Sequence, residues 1–307
     1  MPLLPGGQKT LWIYTGVFLF MCVLAIMAPV DALPVMLCLP ALYSSLSERL
    51  ARPAYAAAAA LAPALLAFVP GLAGSALVYL FFIGCGMVLS RLLGKGHISL
   101  AVLVPASLMF ALLFSGALFL SAEKGVSMTT LVAGWVDGFM DQMMAVYSQT
   151  SSQAVVENMK EFRSTIEGHA VRLFWGLTAS TVLSIMWVNL LIANRVSRRY
   201  RLREWRCPDW VVGLFILASV LSLLQYGPAN LFGLNLLIVV IQVYFFQGIA
   251  IVASVMIQYD WSRFIRYVIY ILILTQIYIM IGVAGLGLFD TWFNFRKMIR
   301  NSEGEKT

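Results

Sequence analysis

Residues 231–257 read LFGLNLLIVVIQVYFFQGIAIVASVMI, without one Asp, Glu, Lys or Arg. Wound as a helix rising 1.5 Å per residue, this run is about 40 Å long. The hydrocarbon core of a bilayer is only about 30 Å thick. A barrel strand would instead show about ten residues of alternating polarity, and no such alternation is present. Hydrocarbon offers no hydrogen bonds, so every backbone N–H and C=O must pair within the segment, as a helix allows. The stretch predicts a transmembrane helix.

The rest of the chain follows the same pattern. Of 307 residues, 61% are apolar and 11% charged, with a mean hydropathy of +0.87. A soluble domain carries about a quarter charged residues, so this surface is one that lipid solvates. Apolar runs at 11–29, 33–47, 54–70, 73–92, 98–120, 171–194, 209–226, 231–257 and 264–287 predict eight or nine spans. The 33–47 run is short and holds Pro34 and Pro40, so it is read as a broken or re-entrant helix. The expected fold is all-α: a polytopic transmembrane helical bundle.

Charge orients the bundle. The loops 48–52, 91–97, 195–206 and 260–266 are basic, and six of the 21 Lys and Arg lie between Arg195 and Arg206. Those at 29–34, 70–74 and 227–231 hold no Lys or Arg. Basic loops stay in the cytoplasm, which places this chain as a multi-pass protein of a bacterial cytoplasmic membrane with its N-terminus inside. The formal charge of +7 is therefore assigned to membrane orientation and not to nucleic acid. Nine crossings would leave the tail outside although it carries Arg296, Lys297, Arg300 and Lys306. Either the last segment turns back at Gly282, Gly285 and Gly287, or an earlier one does not cross. The apolar run after Lys9 continues without a small-residue cleavage site, so it reads as an uncleaved first span. Cys22, Cys38, Cys85 and Cys207 show no metal-ligand spacing.

Residues 121–170 differ, with six acidic residues. Val155, Met159, Phe162 and Ile166 recur at helical spacing, and Trp135, Phe139, Met140, Met143 and Val146 form a second apolar side with Asp137 and Asp141 opposite. The pattern predicts an amphipathic helical hairpin outside the membrane. The expected organisation is N-terminal spans over 1–120, this extracytoplasmic insert at 121–170, C-terminal spans over 171–290 and a basic tail at 291–307.

No H-E-x-x-H, G-x-S-x-G or Walker pattern occurs, so neither an enzyme, a metal site nor a cofactor is expected. Asp137 and Asp141 are an i, i+4 carboxylate pair without a third ligand and read as a solvated face. Neutral polar residues inside spans are the candidates for function. Asn235, Gln242, Gln247 and Gln276 are amides placed to line a pocket for a small solute; each also fits an interhelical hydrogen bond. Small residues at Ala54, Ala58, Gly84 and Gly86 allow close helix approach, either inside this bundle or as a docking face for a membrane-protein partner.

The segment 244–252, YFFQGIAIV, and the segment 285–297, GLGLFDTWFNFRK, resemble the C-terminal signature of the YybS-like family of predicted bacterial membrane proteins, a domain of unknown function. The order of elements is similar to that family over nearly the whole chain. That family is distantly similar to the S components of energy-coupling-factor transporters. The resemblance implies no catalytic residues. It implies a helical bundle that takes up a small ligand and docks a transmembrane partner through an alanine face. Here that face lies in the third predicted span and not the first, and there are more than six spans. The function expected is a non-enzymatic membrane protein that binds or transports a small solute. The alternative is a scaffold or assembly protein docking partners through the 121–170 hairpin and the alanine-rich face.

Overall fold

The computed structural model describes residues 33–50, 71–150, 153–197, 200, 202–225 and 227–293, with single positions between 16 and 27. All regular structure among them is helical. The helices are α1 (Leu33–Leu50), α2 (Ala73–Gly94), α3 (Ile98–Lys124), α4 (Met128–Thr150) and α5 (Gln153–Ser197), followed by a 3₁₀ turn at Leu202–Glu204. Then come α6 (Val211–Ser222), α7 (Pro228–Gln258), α8 (Arg263–Thr275) and α9 (Ile277–Phe293).

Among the described residues, α2, α3, the part Thr165–Arg195 of α5, and α7 are long and apolar enough to cross a membrane; the pair α8 and α9 makes a fifth if taken together. Eight or nine spans are therefore not supported. The expected spans 11–29 and 54–70 lie outside the described residues, apart from single positions in the first. Two other expectations are corrected. The 209–226 run forms only the 12-residue α6, about 18 Å long, because its helix stops at Ser222 ahead of the turn that ends at Gly227 and Pro228. The 264–287 run is not straight: α8 and α9 meet at 102°. The break is at Gln276, whose backbone is extended (φ −110°, ψ 108°). Gly282, Gly285 and Gly287, expected to end a helix, lie inside α9.

Lipid solvation of the exterior fits the exposed side chains. Leu77, Phe119 and Phe232 stand 68%, 68% and 59% exposed on spans, a surface whose exposure to water would be unfavourable.

The described residues fall into two units. The first takes those up to Met109 and Val182–Leu202. In it α1 packs on α2 around Tyr79, Ile83, Leu89, Met36 and Leu39. A Cβ on Gly86 would meet Pro40 Cα and Tyr43 Cβ at 3.0 Å, so only glycine lets these helices come so close. Asn189 of α5, 1% exposed, reaches α1: its Oδ1 accepts from Ala41 N at 2.8 Å and its Nδ2 donates to Leu37 O at 2.8 Å. An undisturbed helix pairs those two groups with each other.

The second unit takes Phe110–Thr181 and the residues from Arg203 onward. Val132, Val136 and Met140 of α4 pack against Ala170, Val171, Phe174 and Trp175 of α5. The separate extramembrane hairpin is not shown. Residues 153–170 are the opening of a 45-residue helix that continues to Ser197, since no proline interrupts it. At about 67 Å, α5 exceeds the hydrocarbon thickness twofold. Asp137 and Asp141 are exposed, as expected of a solvated face. Both pair with Arg163 of α5, at 3.7 and 2.8 Å, and Glu167 pairs with it too. The Glu167 hydrogen bond, then that of Asp141, raises the proton affinity of the guanidinium.

Candidate functional site

The polar side chains of the second unit gather at two levels along α7. The first lies near its start. Arg172 of α5 donates from Nη2 to Asn230 Oδ1 at 2.9 Å, and Asn230 Nδ2 donates to Ser222 O at 2.7 Å. Asn230 is 7% exposed, so its amide is fixed and orients the arginine. One turn further, Asn235 accepts from Gly176 N, and its Nδ2 donates to Arg172 O at 2.9 Å and to Leu231 O at 2.8 Å. Arg172 and Asn230 border an open cleft of about 570 Å³ lined also by Leu224, Gln225 and Leu234. Among the described residues no carboxylate pairs with Arg172, which lines the opening. The cleft thus joins one positive charge and two amides to two leucines.

The second level lies where α9 meets α7. Gln247, fully buried, accepts from Cys207 N at 3.0 Å and donates to Asp290 Oδ2 at 3.0 Å. Asp290 is 1% exposed. A Cβ on Gly248 would fall on the Val283 carbonyl, and one on Gly287 on the Tyr244 carbonyl. The helices touch backbone to backbone, and Tyr244 and Gln247 of the segment 244–252 meet Gly287 and Asp290 of the segment 285–297. Burial, then the charge of Asp209, pushes the Cys207 thiol up to about 12; it stays protonated at neutral pH.

The four amides expected to share a pocket are not brought together. Asn235 holds the backbone of Arg172. Gln242 accepts from Ser180 Oγ of α5 at 3.2 Å. Gln247 belongs to the α9 contact, and Gln276 is exposed at the α8–α9 break. Of the candidate docking residues, Gly86 is used against α1, Gly84 has open space beside it, and Ala54 and Ala58 lie outside the described residues. Sequence reasoning missed Asn230, in the first turn of α7, and gave Arg172 no role in a site. It also assigned nothing to Asp290, although a lone acid in the apolar run GLGLFDTWF was a signal.

Residues 16–291 match the family described as "Predicted membrane protein (DUF2232)". No curated protein and no solved structure matches the chain.

Proposed function

From the premise that the chain belongs to this DUF2232 family of predicted membrane proteins, we propose that it is a multi-pass, non-enzymatic protein that binds a small polar or amphiphilic solute at the Arg172 cleft, as a transporter-like component. The observation that carries this reading is the oriented guanidinium. Asn230 fixes it, Asn235 holds its backbone, and it opens on a cleft with leucines alongside. Ligand sites in proteins combine an apolar wall with a few placed polar groups. A guanidinium selects anionic groups such as carboxylate or phosphate. The choice of a binder over an enzyme rests on the sequence, which lacks the paired groups that acid–base or nucleophilic chemistry needs. The similarity to YybS-like proteins and to S components points the same way. So does the charge pattern of the loops for a bacterial cytoplasmic membrane.

Thermal unfolding of the purified protein against a panel of small organic anions, vitamins and nucleobases tests the reading. One class raises Tm for the native chain and for Gln242→Leu, and fails to do so for Arg172→Gln. A panel in which nothing stabilises, or in which Arg172→Gln responds like the native chain, rejects it.

The scaffold reading has one observation of its own. Phe139 and Val146 of α4 stand about 60% exposed beside the half-exposed Trp135, an apolar strip that a partner would cover. Deleting 125–168 would then abolish co-purification of that partner while the remaining helices stay folded.

A further inference from the structure

The Arg172 cleft lies where the crossing helix α7 begins. Asn230, which holds the guanidinium, is the third residue of the span Pro228–Gln258. α6 stops beside it: Asn230 Nδ2 donates to Ser222 O, and a Cβ on Gly233 would overlap Leu221 and Ser222. The residues around this junction are not those of a turn bathed in water. Leu223 is 82% exposed, and Leu224, Leu231 and Phe232 are exposed with it. Water is a poor neighbour for such a surface, and hydrocarbon is a good one. Leu224 also lines the cleft, opposite in character to Arg172, and Leu234 lines it too. A guanidinium at the end of a span, with exposed leucines around it, sits where headgroups give way to acyl chains.

The charge of the cleft is one-sided. Residues 223–235 contain no Asp, Glu, Lys or Arg. Glu167, the nearest carboxylate to Arg172 in sequence, is engaged by Arg163. We propose that the occupant of this cleft, taken as the binding site of the preceding section, is a membrane phospholipid: Arg172 holds its phosphate and the leucines take its acyl chains. A guanidinium matches a phosphate through paired N–H donors, and acyl chains cover the leucines that a dissolved anion would leave bare. The headgroup follows from what is missing. A choline or ethanolamine headgroup carries a cation beside the phosphate, and among the described residues the cleft lining offers it no carboxylate. A glycerol headgroup adds no charge, and the amides of Gln225 and Asn230 suit its hydroxyls. The cleft therefore favours anionic phosphatidylglycerol over zwitterionic lipids.

The test titrates the full chain, in uncharged detergent, with three probes and reads binding by native mass spectrometry. The probes are dioctanoyl phosphatidylglycerol, glycerophosphoglycerol (the same headgroup without chains) and dioctanoyl phosphatidylcholine. The native chain binds the first at least about tenfold more tightly than the second, because the chains supply the difference. It binds the third more weakly than the first. Arg172→Gln lowers the affinity for phosphatidylglycerol about tenfold, the loss expected of a charged hydrogen bond. Leu224→Gln, at an exposed position in the turn, also weakens the lipid and leaves binding of the bare headgroup unchanged. It decides alone if Arg172→Gln yields no folded protein. Glycerophosphoglycerol bound as tightly as the lipid, and lost in Arg172→Gln, overturns the lipid and leaves the cleft as a site for dissolved anions. Phosphatidylcholine bound as tightly as phosphatidylglycerol overturns the anionic headgroup. Lipid binding that neither substitution lowers, or no binding of any probe, overturns the proposal whole; if the anion panel is also indifferent to Arg172→Gln, the cleft is not a binding site.

Discussion

In the first unit Asn189 of α5 lies across the Leu37–Ala41 step of α1; in the second, Asn235 of α7 lies across the Arg172–Gly176 step of α5. Each side-chain amide presents an acceptor and a donor to the N–H and C=O that one helical turn would pair. The ways in differ. In α1 the ring of Pro40 crowds the carbonyl four residues back and loosens the turn. In α5 the opening is Gly176, where a Cβ would stand 2.8 Å from Asn235 Cα. The surroundings differ too. Asn189 is closed in, whereas Asn235 is half-buried and bonds to the backbone of Arg172, a residue of the cleft. Where no water enters, an amide across a helical step is a structural fastening. Beside an opening, the same geometry holds the backbone of Arg172, which lines it.

Substitutions that break this contrast rank by how dry the site is. Asn189→Leu has the largest expected effect, about 3 kcal/mol lost in reversible unfolding in detergent, because it strips partners from a site without water. Gly176→Ala comes next at about 2 kcal/mol, since its methyl meets Asn235 backbone and not a side chain that can swing aside. Asn235→Ala is expected to cost about 1 kcal/mol, in the range of interhelical hydrogen bonds in membranes. It should also weaken whatever ligand the thermal panel identifies, an effect Asn189→Leu does not share once the protein is folded. Ser180→Ala, removing the bond to Gln242, is expected to cost less than about 0.5 kcal/mol. If Asn235→Ala proves as costly as Asn189→Leu, the two clamps are alike and the cleft has no special standing.

Much of the fold was legible because hydrocarbon imposes long runs without charge, and α2, α3, α5 and α7 follow those runs. What hid was the difference between apolar and long. The run over 209–226 looks like a span since Leu223 and Leu224 prolong it, yet the helix ends at Ser222 and these leucines are exposed in the turn. The bend at Gln276 had no glycine or proline to announce it. For the site, Asn235 stood out as an amide in an apolar helix. Its partner step in α5 could not be read, because which helix faces which is set by packing across some 60 residues. Arg172 and Asn230 were hidden for the same reason: neither is unusual until the other is beside it.

The brevity of α6 also bears on how the polypeptide is made. Twelve apolar residues emerging from a ribosome fall short of what partitions into lipid unaided, so α6 has to wait for α7. A nascent chain arrested before Pro228 would leave α6 on the side where synthesis occurs. Only after α7 is in place does α9 have the glycine-lined surface at Gly248 on which to settle, which makes the order of assembly the order of the sequence.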